Sequence, residues 1–246
     1  MSRTLAACVT LFLAVAVMPA PAQAGQGEYV ILNAEGLEKV LLEQSWGPAW
    51  FGPVDGYSAT ATMSGARPEV CSVKGKSIKG AKSAAHADMG MDFQQSKAGH
   101  LLVLNQHVYQ YADVKAADSA WQELTDLSTS CAGKRTETIV ENGKKVGTLT
   151  LITKVFVRPS MYGQDQVIIN VDIQIDEPQR GGSPTRESAD QISIFTYTGA
   201  AIVEVEAYKD VPKRKKWVFS EPQVATMETL ALLAIQRYHL AAYKTL

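Results

Sequence analysis

Two hydrophobic periods alternate along this chain, one of two residues and one of three to four. Residues 100–111 carry the clearest period of two, with Leu102, Leu104, Gln106, Val108 and Gln110 on one side and Leu101, Val103, His107, Tyr109 and Tyr111 on the other. That alternation predicts a strand. The period then lengthens: Val114, Ala117, Trp121 and Leu124, with Leu127 and Cys131 a little to the side, recur at the spacing of one helix face. Asp113 stands where an N-cap would accept the first free N–H groups of that helix. Residues 134–141 and 146–157 flank Asn142-Gly143, the favoured pair for a tight hairpin. In the next strand Val167, Ile169, Val171, Ile173 and Ile175 alternate with Asn170, Asp172, Gln174 and Asp176. Residues 192–198 and 201–208 form a second hairpin about Gly199, with Val203, Val205 and Ala207 on one side and Glu204, Glu206 and Tyr208 on the other.

Helices are expected at both ends of this series. Asn33 caps a first helix reaching residue 42, with Leu37, Val40 and Leu41 as its apolar stripe. Ser220 and Gln223 make a capping box for a last helix that buries Val224, Met227, Leu230, Ala231, Ala234, Tyr238 and Ala241. Between residues 46 and 99 the period is lost among Gly-Pro pairs and single glycines, which predicts an irregular arm. Hairpin-linked strands imply antiparallel pairing, and alternation implies one covered face. The expected class is α+β: an antiparallel β-sheet covered on one face by helices, in two layers.

The first residues change the picture of where this fold resides. Arg3, an apolar run over residues 5–17, and Pro19, Pro21 and Ala22-Gln23-Ala24 have the layout of a cleaved secretory signal. Residues 1–24 are therefore set apart from a domain over 25–246. Leu5-Ala6-Ala7-Cys8 has the residue types of a lipoprotein cleavage site, but the cysteine opens the apolar run instead of ending it, so a secreted form without lipid is expected. Cleavage removes Cys8 and leaves Cys71 and Cys131, an even pair suited to a disulfide in an oxidising compartment. Such a bridge would tether the irregular arm to the central helix and restrict the unfolded chain by roughly 4 kcal/mol. The alternative is two buried thiols. With 24 basic and 25 acidic residues the charge is −1, which gives no support to nucleic-acid binding.

Candidate chemistry is sparse. Ser64 precedes Gly65 without the rest of a Gly-x-Ser-x-Gly elbow. Of the four histidines, His86-Ala87-Asp88 comes nearest to ligand spacing, but it reads as a solvated loop, and His107 as a hydrogen-bonded sheet residue. Neither a metal nor a cofactor is expected. Glu204 and Glu206 share one side of their strand, as do Asp172 and Asp176 of theirs. They are either the wet face of the sheet or, with Asn170, Gln174 and Tyr208, the polar lining of a cleft. Trp46, Trp50, Phe51 and Tyr57 would wall that cleft or cap the sheet. Lys213, Arg214, Lys215 and Lys216 beside Trp217 could rest on anionic lipid or wall polymer, each charge adding about 1 kcal/mol near such a surface.

Residues 30–41, Val-Ile-Leu-Asn-Ala-Glu-Gly-Leu-Glu-Lys-Val-Leu, followed by Val108-Tyr109-Gln110-Tyr111, Ala116-Ala117, Trp121, Leu124 and Cys131, resemble the PknH-like extracellular sensor domain family of actinobacteria. Residues 202–205 and 230–242 fit the closing strand and helix of that pattern. The resemblance implies an antiparallel sheet with helices and a cleft for an unidentified extracellular ligand, and no catalytic residues. Family members carry two disulfides, where this chain keeps cysteines for one. The function expected is a secreted, non-enzymatic ligand-binding or sensor-like domain of the actinobacterial cell envelope. The alternative is an interaction protein docking to an anionic envelope component or a partner protein through the basic turn and the aromatic arm. A hydrolase would need two carboxylates facing each other in a pocket, one with a raised pKa.

Overall fold

The computed structural model describes residues 30–46, 51–70, 76–93, 102–159, 164–177, 185–211, 219 and 221–243. Three helices are α1 (Ala34–Glu38), α2 (Val114–Thr129) and α3 (Glu221–Ala242). The strands are β1 (Val54–Thr62), β2 (Glu69–Val70), β3 (Lys76–Ser77), β4 (Ala85–Phe93), β5 (Leu102–Gln110), β6 (Gly133–Glu141), β7 (Lys144–Pro159), β8 (Asp165–Glu177), β9 (Thr185–Tyr197) and β10 (Ala201–Val211). Eight of them make one sheet in the order β1-β4-β5-β10-β9-β8-β7-β6, antiparallel throughout, while β2 and β3 pair as a separate ribbon. The α+β class and the antiparallel sheet with helices packed on it are those read from the sequence.

Alternation divides the apolar side chains between the two faces. Ala87, Met89, Met91, Leu104, Val108, Ile168, Ile192, Ile194, Val203, Val205 and Ala207 point to one face and join Leu37, Val40, Leu41, Leu42, Met227, Leu230, Ala234 and Tyr238 of α1, its following turn and α3. The other face gathers Tyr109, Tyr111, Val167, Ile169, Val171, Ile173, Phe195 and Ile202 against Ala117, Ala120, Trp121 and Leu124 of α2. α2 therefore adds a partial third layer opposite α3. Trp121 stacks on Tyr197 with ring centroids 5.7 Å apart, and Tyr197 donates to Asp118, fixing α2 over β9.

Local chemistry sets the boundaries. Asp113 accepts the Ala116 N–H at 2.7 Å and Asn33 the Gly36 N–H at 2.8 Å, the expected caps of α2 and α1. α1 ends at Glu38, short of residue 42, because the next stretch is bound by the sheet. Gln106 accepts the Leu42 N–H at 2.7 Å, and Gln110 exchanges two 3.0 Å bonds with the Leu32 backbone while accepting from Tyr238 at 3.1 Å. Those amide side chains take over backbone groups that would otherwise be buried without partners. Asn142 and Gly143, at φ 48° and 76°, turn β6 into β7 as read.

The largest correction concerns the irregular arm of residues 46–99. It contains β1, β4 and the β2–β3 ribbon, and β4 alternates between buried Ala85, Ala87, Met89, Met91 and Phe93 and half-exposed His86, Asp88 and Gly90. Small and polar residues there had hidden the period. Val114 is exposed instead of buried, and in α3 Ala242 is buried where Ala241 was expected. The signal stretch, Cys71, Trp50, Ser220 and residues 213–217 lie outside the described residues.

Candidate functional site

The face under α2 is only partly covered, and beyond the helix residues 65–70 and 76–83, with the β2–β3 ribbon, form an arch over the sheet. Its ends are sewn together: Ser83 donates its N–H to Ala66 O at 2.9 Å, Ala66 donates to Ser83 Oγ at 3.0 Å, and Arg67 Nε reaches Gly80 O at 3.1 Å. A Cβ on Gly65 would stand 2.0 Å from Ser83 O, so only glycine permits this approach. The Glu123 carboxylate on α2 accepts the N–H groups of Lys79 and Gly80 at 2.5 and 2.7 Å, pinning the arch to the helix. Val70 and Ile78 are buried beside Leu124 in the same cluster.

Between arch and sheet lies a cavity of about 310 Å³, lined by Ala66, Arg67, Glu69, His86, Asp88, His107, Tyr109, Glu204 and Glu206. Register explains the convergence. His86 and Asp88 are two apart on β4 and so share a side; Asp88 is opposite His107 on β5, and His107 is opposite Glu204 on β10. Asp88 Oδ1 lies 2.5 Å from His107 Nδ1 and 3.1 Å from His86 Nε2. His86 stacks on Tyr109 at 4.7 Å between centroids. Tyr109 donates to Glu204 at 3.3 Å, whereas Glu206 is held by Gln191 at 2.7 Å and by Ser193 and Asn105 at 3.3 Å.

Charge in this place is costly, and the protonation equilibria show it. Burial, reinforced by Glu206 and Asp88 and opposed by His107 and Tyr109, pushes Glu204 up to about 8. Burial alone would lower His107, but the hydrogen bond it donates to Asp88 and the charges of Glu204, Asp88 and Glu206 raise it to about 9. His86 moves the other way, chiefly through burial and secondarily through His107, against the pull of Asp88. His86, Asp88 and His107 are also the three described residues whose donor atoms, all within 4.8 Å of one another, could hold a metal ion.

The residues singled out from sequence are divided by the fold. Glu204, Glu206 and Tyr208 lie on the α2 face, and the first two line the cavity. Asn170, Asp172 and Gln174 lie on the opposite face: Asp172 is opposite Asp190, and Asp190 opposite Lys209. The two carboxylate pairs do not meet. Trp46 lies against the α1/α3 core with Arg237 over its ring at 5.1 Å, Phe51 meets Phe93 edge-on at 5.4 Å, and Tyr57 donates to Leu42 O at 3.0 Å. These aromatics cap that core, away from the cavity. Sequence reading passed over Arg67 and Glu69, and took His86, Asp88 and His107 for solvated or structural residues. The usable signal was the His-x-Asp spacing, which has meaning only on a strand.

Fold and site together define an α+β domain whose antiparallel sheet carries a polar cavity roofed by an arch. No family model matches the chain, and neither does any curated protein. Among solved structures, the crystal structure of the extracellular domain of PknH from Mycobacterium tuberculosis is similar in fold, with a TM-score of 0.52 and 15% identity, over 85% of this chain and 99% of that one. Among the described residues, no helix is long and apolar enough to cross a membrane.

Proposed function

We propose that the chain is an exported, sensor-like domain that binds a small polar ligand in the cavity beneath the arch. The observation that carries this reading is the cavity itself: about 310 Å³, at the lower end of small-ligand sites, and lined by converging ionisable groups. Among the described residues of the lining, Glu69, Asp88 and Glu206, with the buried Glu204 able to ionise against an incoming cation, face Arg67 and His107, so acidic groups predominate and the ligand preferred is a cationic one. The likeness to an extracellular domain supports an extracytoplasmic setting, reached through cleavage after Ala24 and oxidation of Cys71 with Cys131. The reading requires no catalytic step. Among the described residues the lining offers no serine, threonine or cysteine, and Glu204 is engaged by Tyr109.

Native mass spectrometry of the protein from its own culture supernatant tests this. The expected result is a mature chain lighter by about two hydrogens per disulfide, with a retained small molecule that Glu206→Gln and Glu69→Gln each release. A retained molecule unaffected by both variants, or an empty protein whose thermal midpoint no small cation shifts, overturns the reading.

A further inference from the structure

We propose that His86, Asp88 and His107 form a site for one divalent transition-metal ion of the zinc type. The inference deepens the ligand-binding reading and rests on it, since the ion would occupy the floor of the same cavity.

Three observations lead there. The first is rigidity of presentation. The donors come from adjacent positions of two hydrogen-bonded strands, His86 and Asp88 on one side of β4 and His107 opposite Asp88 on β5, so the backbone fixes all three. Two imidazoles and a carboxylate, with further positions open toward a cavity, are a donor set that zinc and other first-row ions accept. Donor atoms around a tetrahedral ion with bonds of about 2.0–2.1 Å stand about 3.3 Å apart. Here the separations from Asp88 Oδ1 are 2.5 and 3.1 Å, and all three atoms fall within 4.8 Å. Side-chain rotations alone would bring them to ion-binding distances.

The second is an unmet bond. His86 Nε2 is buried and makes no hydrogen bond; Asp88 Oδ1, 3.1 Å away, is its near carboxylate oxygen. A buried nitrogen without a partner is costly, and an ion between the three donors would satisfy it. The third is charge. Glu204 is 4% exposed and receives one hydrogen bond, from Tyr109, while Glu206 stands beside it in the lining. Two more carboxylates at the rim of a histidine–aspartate cluster suit a cation and oppose an anion. A purely structural histidine–aspartate pair accounts for the His107–Asp88 contact, but not for the orphaned His86 or for a carboxylate buried at Glu204.

The test uses the full exported chain, freed of metal by a chelator and titrated with Co²⁺ and then Zn²⁺. Expected are one Co²⁺ per chain, visible ligand-field absorption of a nitrogen- and oxygen-coordinated ion, and displacement by one Zn²⁺. His86→Asn and His107→Gln each weaken Zn²⁺ binding by at least about 100-fold, and Asp88→Asn by at least about 10-fold. His239→Ala, on α3, leaves it unchanged. Circular dichroism and the metal-free thermal midpoint confirm that each variant is folded, and His86→Asn alone suffices should His107→Gln not fold. Absence of a stoichiometric Co²⁺ spectrum overturns the proposal, and so does Zn²⁺ affinity within threefold of the original in folded His86→Asn. The two readings fail separately. A retained organic molecule in a protein that binds no metal removes the ion and keeps the ligand site. A bound ion with no organic molecule supports the proposal and makes the ion itself the ligand.

Discussion

Val203, Val205 and Ala207 of β10 are buried among aliphatic neighbours under α3, while Glu204 and Glu206, the residues between them, face His107, Asp88 and Arg67 across a cavity. One strand thus serves two regions of opposite character. On the α3 side, close packing of methyl and methylene groups supplies cohesion, and two of the polar groups that enter, Gln106 and Gln110, turn their amide oxygens to the backbone N–H groups of Leu42 and Leu32. On the α2 side the ionisable groups outnumber the partners available to them, which is why His86 is left unmet and Glu204 is driven toward its neutral form. The difference shows where this domain places cohesion and where it places chemistry. The two are separated by the thickness of one sheet.

The contrast can be broken most severely from the apolar side. Ile194, fully buried beneath α3, is expected to lose about 3–4 kcal/mol of stability when replaced by alanine, read from denaturant midpoints. Ligand or metal capacity per folded molecule should stay unchanged. A loss of capacity in molecules still folded would show that the faces are coupled.

A smaller effect sharpens the boundary on the α3 side itself. Asp190, buried and facing Asp172, is held up to about 7 by burial and by that neighbour, against the pull of Lys209. Its folded pKa lies above the unfolded one, so its favourable contribution is complete below about pH 4 and is lost as pH rises through about 7. Asp190→Asn is therefore expected to stabilise the protein by about 1–2 kcal/mol at pH 8, allowing for screening, and by nothing at pH 3.5. Urea melts at the two pH values decide it, and a gain of equal size at both would dismiss the titration as the cause.

The smallest effect touches the arch. Glu123→Ala leaves the Lys79 and Gly80 N–H groups without their carboxylate, at a cost of about 1 kcal/mol. Amide exchange at those two residues should speed by about fivefold, while that of the Ile194 amide in β9 is unchanged. Uniform acceleration across both would mean that the arch is part of the global fold and not a separately pinned roof.

Much of the architecture was legible because period and turn chemistry agreed. The alternation of β5, the Asn142-Gly143 turn and the Asp113 cap were each signalled by residues whose local preference matches their place. The strands β1 and β4 were not legible; in β4, Ala85 and Ala87 mark the buried face, and Gly90 the other, too weakly in hydrophobicity to register as a period. The site failed for a different reason. His86 and Asp88 are 19 to 21 residues from His107, and Glu204 nearly a hundred beyond; only pairing of β4 with β5 and β5 with β10 makes them neighbours. Glu204 and Glu206 were found because one strand carries both. The aromatics Trp46, Phe51 and Tyr57 suggested a cleft wall by type alone, and packing assigned them to the other side of the sheet.

Between β9 and β10 the chain reverses through Gly199, at φ 85°, with Thr198 and Ala201 bonded to each other at 3.0 Å. That closure counts residues. Substitutions along β10 act locally, but loss of a single residue just after the turn would move Glu204 and Glu206 into the aliphatic layer and Val203 and Val205 into the cavity. Inherited variation in this stretch should therefore run through changes of residue identity at constant length, with insertions and deletions confined to segments that no strand has to keep in step.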